Sequence, residues 1–254
     1  MNPRGVNTQR LRENRTSITT VFFDLDDTLR HNDPDATTYF YDSVEKFGFH
    51  STLERRQEAE RWTHAYWASS SELLQDLQMF GDWNNNGAFW KNHARRHLKV
   101  LGASDAEAER LAPVITEMML AEFDPVDIVH EDVVPMLQAL NECGYKLAVV
   151  SNRSQALGPT LEGLGLEHYF DLTLAAGEVD YWKPDPRLLL HAASMAAARP
   201  EEIVYVGNNY YADVVCARQA GMTPILFDVK GIFADADCEV VSRMRELQDL
   251  FVEK

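Results

Sequence analysis

Three carboxylates, Asp24, Asp26 and Asp27, crowd the end of V-F-F-D-L-D-D-T-L-R at residues 21–30, directly after residues suited to burial. Like charges this close repel one another and resist desolvation, so they do not easily all stay ionised unless a cation lies among them. A hard divalent ion such as Mg²⁺ resolves the conflict, because it takes oxygen ligands from aspartates and main-chain carbonyls. One carboxylate could then act as a nucleophile and the other as general acid and base. Aspartate nucleophiles that take up a phosphoryl group are a known solution to phosphoryl transfer, which relies on positioned donors and cations. Ser151 can donate a hydroxyl and Lys183 can neutralise charge. Asn208 offers a neutral amide oxygen and Asp213 a further carboxylate. Taken singly, each has a plainer reading: D-x-D as solvated turn acids, a lysine in K-P-D-P as surface charge. Their common placement decides against it.

That placement follows from the elements. Strand character is found at 19–23, 145–150, 170–175, 203–206 and 224–227, several of them nearly continuous apolar runs. Such runs suit parallel strands covered on both faces. Helical patterns between the later strands end in Gly144 and Gly221, placed as C-cap residues. Strand, helix, strand in repetition predicts an α/β fold with an open parallel sheet and right-handed crossovers. Ligands of such sheets bind outside the carboxyl ends of the strands. Asp24, then Ser151-Asn152, then Gly207-Asn208-Asn209 with Asp213 stand at those ends, and Trp182-Lys183-Pro184-Asp185-Pro186 precedes the fourth strand. In that last run Asp185 reads as an N-cap and Pro186 as the first helical residue.

The stretch between the first and second strands shows no strand signal and reads as helices at 34–48, 52–80, 86–101, 104–122 and 131–143. The last leads into the second strand and belongs to the core. The remainder, residues 31–125, is too long for a loop and is expected to be an inserted all-helical cap. The core is then 18–30 with 126–254, preceded by a polar tail at 1–17 carrying Arg4, Arg10, Arg12 and Arg15.

In order and spacing, D-L-D-D-T-L, V-V-S-N, W-K-P-D-P and V-G-N-N-Y-Y-A-D resemble the four motifs of the haloacid dehalogenase superfamily. The likeness runs from about residue 19 to 228. It implies a Rossmann-like, doubly wound core with a helical cap between the first two motifs, and a Mg²⁺-dependent phosphatase acting on a small soluble phosphate ester. Asp24 would be the nucleophile and Asp26 the general acid, then base. Thr28 would fix the turn, and Ser151 would bind a phosphate oxygen with backbone near Asn152 assisting. Lys183 would hold Asp24 and the phosphate. Mg²⁺ would sit on Asp24, the Asp26 carbonyl and the fourth motif, with Asn208 and Asp213. That motif usually reads G-D-x-x-x-x-D; Asn208 replaces its first acid, which predicts weakened metal binding. A weakened member that binds a phosphorylated ligand or partner is the alternative, ahead of a dehalogenase or a phosphomutase.

Composition sets further bounds. Twenty-four basic against forty acidic residues give a net charge of −16, which argues against nucleic acid or anionic membrane as partner. Three widely spaced cysteines read as buried, reduced thiols of a cytoplasmic protein, and no run is long enough to span a bilayer. In the cap, Trp62, Tyr66, Leu73 and Leu77 follow helical spacing and read as cap core. The basic segment 91–99, K-N-H-A-R-R-H-L-K, reads as a solvated face; its sharper reading has Arg95, Arg96 or a histidine meeting a second anionic group of the substrate. The cap is expected to open for substrate and close against bulk water.

Overall fold

The computed structural model describes residues 17–84 and 86–252; the tail expected at 1–17 lies almost wholly outside the described residues. Eight strands follow in chain order: β1 (Thr20–Phe23), β2 (Arg30–Asp33), β3 (Val126–Val129), β4 (Lys146–Ser151), β5 (Leu172–Ala175), β6 (Ile203–Gly207), β7 (Thr223–Phe227) and β8 (Glu239–Val241). Six of them form one sheet in the order β5-β4-β1-β6-β7-β8, and every pairing in it is parallel. The chain works outward from β1 to one edge, then returns to β1's other side. The reversal of order falls at β1, which is where a crevice opens at the carboxyl ends.

Alternation along β1 explains why the sheet is buried on both faces. Val21 and Phe23 point to one side, with Val149, Val206 and Phe227, under helices Val133–Glu142 and Arg245–Phe251. Phe22 points to the other, with Val150, Leu188 and Tyr205, under helix Pro186–Met195. Asp185 caps that last helix through the Arg187 amide, with Pro186 at its first position as the sequence predicts. Gly144 and Gly221 adopt positive φ after their helices.

The chain separates into two compact units, one of them Asn32–Val126 and the other formed by the residues on either side of it. In Asn32–Val126 the helices are α1 (Ala36–Lys46), α2 (Leu53–Trp67), α3 (Ser71–Phe80), α4 (Gly87–Val100) and α5 (Asp105–Glu122). The single helix expected at 52–80 is two. Ser69 turns to a φ of 56°, and the Ser70 hydroxyl accepts from the Leu73 amide and starts a new helix. Two strands were missed beside it: β2 and β3 pair with each other in a separate two-stranded sheet. R-H-N-D carries no apolar alternation, so nothing in it signals a strand. Likewise β8, three residues long, lacks a run long enough to register. Cys216 and Cys238 are buried, but Cys143 is exposed, against expectation.

Candidate active site

Register brings the chemistry to one place. Phe23 is level with Val149 of β4 and Val206 of β6, and the Asp24 amide still bonds to the Val206 carbonyl at 2.8 Å. Asp24 therefore sits at the central strand's carboxyl end, with Ser151 and Gly207 closing the strands on either side. Beyond it the chain turns sharply. The amides of Thr28, Leu29 and Arg30 converge on the Leu25 carbonyl, and Asp27 takes a φ of 56°. Thr28, fully buried, donates to the Asn208 amide oxygen at 3.3 Å and ties this turn to the end of β6.

Lys183 is the hub. Its buried ammonium donates to Asp24 Oδ1 at 2.8 Å, Asp213 Oδ1 at 2.6 Å and the Tyr205 hydroxyl at 2.9 Å. Burial works against its charge, but Asp213 and Asp24 outweigh burial and hold its pKa well above the ordinary lysine value. The Tyr205 hydroxyl in turn donates a hydrogen bond to the Val150 carbonyl at 2.8 Å, and burial keeps the phenol protonated. The Lys183 backbone is held as well: Asn152 donates to its carbonyl at 3.0 Å and accepts from its amide at 2.7 Å. Thus the Asn152 side chain positions the lysine, while Ser151 stays buried at the end of β4.

Asp24 shares that one ammonium with Asp213. Burial raises its carboxyl to about 7, with Lys183 lowering it and Asp213 and Asp26 raising it. An excess of buried negative charge of this kind favours a cation. Of the sequence-predicted metal residues, Asp213 is committed elsewhere: Oδ1 faces Lys183, and Oδ2 accepts from the Asn209 amide at 2.8 Å. It also packs so tightly over Gly207 that a Cβ there would fall 2.4 Å from the Asp213 carboxyl carbon. Among the described residues no three His, Cys, Asp or Glu side chains form a metal-binding group. What fits a hard ion is a set of oxygens in which Asp24 supplies the carboxylate, and Asn208 and main chain supply neutral donors.

Asp26 is placed differently from Asp24. Arg153 grips it in a two-point fork, Nε to Oδ2 at 2.9 Å and Nη2 to Oδ1 at 2.7 Å. Arg30 donates to Oδ1 as well and is anchored on Asp127 at 2.9 Å. Burial alone would raise this carboxyl; hydrogen bonds and charge from Arg153 and Arg30 win and lower it. Sequence reasoning missed Arg153, Arg30 and Tyr205. Strand β4 ends at Ser151, so strand alternation does not place Arg153, and its partner Asp26 is distant in sequence.

A family model described as haloacid dehalogenase-like hydrolase matches residues 18–221. The chain belongs to that family. A glyceraldehyde 3-phosphate phosphatase of Methanopyrus kandleri is 29% identical over 212 residues, covering 82% of this chain and 83% of that protein. A phosphoserine phosphatase of Thermus thermophilus is 29% identical over 249 residues, covering 91% and 97%. Among solved structures, a HAD phosphatase from Thermococcus onnurineus superposes with a TM-score of 0.58 at 23% identity, over 92% of this chain and 98% of that one, and speaks for the fold. This haloacid dehalogenase-like hydrolase is thus an enzyme whose α/β core is that of its relatives.

The basic segment of the helical unit has another employment. Arg96 forks onto Asp76 with two bonds of 2.9 Å and reaches Glu72 at 3.0 Å. His93 and His97 are buried among rings of Trp62, Tyr66 and Phe40. Lys91 and Lys99 are exposed as a solvated face requires, His93 and His97 lie on a buried face, and Arg96 is not an uncommitted anion receptor. Tyr66 and Leu73 are core as predicted, with Trp62 and Leu77 packed against them.

Proposed function

We propose that this hydrolase cleaves small phosphate monoesters through an aspartyl-phosphate on Asp24. The supporting observation is the buried Asp24 carboxylate at the switch point of the sheet, fixed through Oδ1 by Lys183 and flanked by the Ser151 strand end. A fixed carboxylate loses little freedom on reaching phosphorus, which is how positioning lowers the barrier. In this reading an Asp24 oxygen bonds to phosphorus as the ester P–O bond breaks. The leaving oxygen takes a proton from Asp26, which must first acquire it from solvent because Arg153 and Arg30 favour its carboxylate form. Water then attacks phosphorus, gives its proton to Asp26, and frees Asp24 and inorganic phosphate. Ser151 holds a phosphate oxygen, Lys183 keeps Asp24 in place and offsets negative charge beside the phosphate, and Asn152 keeps Lys183 in line. Mg²⁺, held by Asp24, the Asp26 carbonyl and Asn208, would supply charge neutralisation for the phosphoryl group. The relatives named as phosphatases support the same chemistry. Asp26 disfavours dehalogenation, which has no leaving alcohol to protonate.

Asn208 favours a second reading, a weakened member that binds a phosphorylated ligand without turnover. Phosphate release from p-nitrophenyl phosphate, with and without Mg²⁺, separates the two. Wild type is expected to turn over in the presence of Mg²⁺, and Asp24→Asn to lose at least about a thousandfold in rate, as expected for a nucleophile. Absence of turnover in wild type at high Mg²⁺ would leave the binding protein as the better description.

A further inference from the structure

The Lys183 ammonium carries three N–H groups and no acceptor. Three oxygens already face it: Asp24 Oδ1 at 2.8 Å, Asp213 Oδ1 at 2.6 Å and the Tyr205 hydroxyl at 2.9 Å. A lysine so engaged has no N–H to offer a phosphoryl oxygen unless one of these contacts breaks. The two carboxylates hold the ammonium by charge; the neutral hydroxyl adds direction. Phe22 and Tyr205 are level on neighbouring strands and point to the same face, and Asp24 follows Phe22 by two residues. From β6 the buried phenol passes under β1 and ends at β4, where its one proton goes to the Val150 carbonyl at 2.8 Å. Asp213 Oδ1, at 3.4 Å, is the more distant acceptor for that proton. With the proton so directed, lone pairs face Lys183 and the sense of that hydrogen bond is settled. Held by β6 at one end and β4 at the other, the phenol is fixed on both sides of the strand that leads into Asp24.

We propose that Tyr205 is a positioning residue of the reaction: its hydroxyl occupies the third N–H of Lys183, so that the ammonium stays on Asp24 and does not turn to the phosphate. The proposal rests on the phosphomonoesterase reading above and adds a residue to it. Without the hydroxyl, the buried ammonium has an unpaired N–H, which is costly, and a phosphoryl oxygen is the acceptor that substrate brings. Asp24 then shares its lysine with the substrate and attacks from a looser position.

The substitution Tyr205→Phe deletes the oxygen and keeps the ring. With p-nitrophenyl phosphate and Mg²⁺, kcat per folded molecule should fall at least about fivefold, while KM and the inhibition constant of inorganic phosphate rise by less than about threefold. A tyrosine that serves stability alone would lower the melting temperature and leave kcat per folded molecule nearly unchanged. A fall smaller than that therefore overturns the assignment, and so does an inhibition constant that rises in step with the fall in kcat. Wild type decides if the variant does not fold. Among the described residues Lys183 is the one buried lysine, so in protein labelled with ¹⁵N-lysine its ammonium protons should exchange slowly. Slow exchange should persist with Mg²⁺ and saturating inorganic phosphate, without scalar coupling to phosphorus. Fast exchange from the outset, its onset when phosphate is added, or a coupling to phosphorus overturns the assignment. A wild type that releases no phosphate from p-nitrophenyl phosphate is a separate failure: it removes the hydrolase reading, and the assignment with it.

Discussion

Asn208 accepts a hydrogen bond from Thr28 through the oxygen that would face a cation, and an aspartate there could accept the same bond. The substitution Asn208→Asp therefore adds a charge without rebuilding the turn. Ligand charge sets affinity for hard cations, so Mg²⁺ should bind at least about fivefold more tightly. Titration calorimetry should show this directly, and the Mg²⁺ needed for half-maximal phosphate release should fall in step. Unchanged binding would mean that Asn208 is no ligand. At this scale the chemistry is legible only in combination: Asp24 after three apolar residues, or Lys183 between Trp182 and Pro184, has a plainer reading singly, and their common placement at strand ends removes it. What stayed hidden depends on partners distant in sequence. Nothing near Tyr205 tells that its hydroxyl meets Lys183, and nothing near Asp26 tells that Arg153 covers it, although a tyrosine inside a buried strand must find a partner for its hydroxyl.

Helix α4 carries both buried histidines, and their burial makes the helical unit sensitive to acid. Burial drives His93 down to about 4 from its ordinary 6.5, with Asp76 pulling upward and Arg96 downward. Burial and the neighbouring His93 lower His97 well below that ordinary value too. An unfolded chain takes up these protons more readily, so stability is complete above the ordinary value and is lost as pH falls towards the folded one. For His93 alone the loss between pH 7 and pH 5 is about 2 kcal/mol. Denaturant titrations at those two values should show it, and His93→Phe, which keeps a ring in the aromatic cluster, should flatten the dependence. An equally steep loss in the variant would exclude His93 as its source. The elements themselves were legible where periodicity is long. Helix α5 is present almost as read, and its Ser104 and Glu107 complete a capping box. The break at Ser69-Ser70 was not, because the apolar spacing of α2 runs on into α3 and only the backbone reverses.

At the scale of the whole molecule, the net charge is −16, and among the described residues no helix is long and apolar enough to cross a membrane. The division of the chain has a thermodynamic consequence. Asn32–Val126 has its own core around Phe40, Leu98 and Ile115, with a second cluster around Tyr66 and Phe89. The other unit has its core on the two faces of the sheet. Units with separate cores need not unfold together, and disagreement between probes is the test of that. Four of the five tryptophans, Trp62, Trp67, Trp83 and Trp90, lie in Asn32–Val126, so tryptophan emission reports mainly on that unit, whereas far-UV ellipticity reports on both. Protonation of His93 and His97 weakens the helical unit alone. At pH 5 the emission midpoint should therefore precede the ellipticity midpoint by about 5–10 °C, from the loss at His93 and the usual conversion of stability into melting temperature. At pH 7.5 the two should lie closer together. Coincident transitions at pH 5 would show that the chain melts as one cooperative body, and that acid sensitivity in the helical unit is borne by the entire fold.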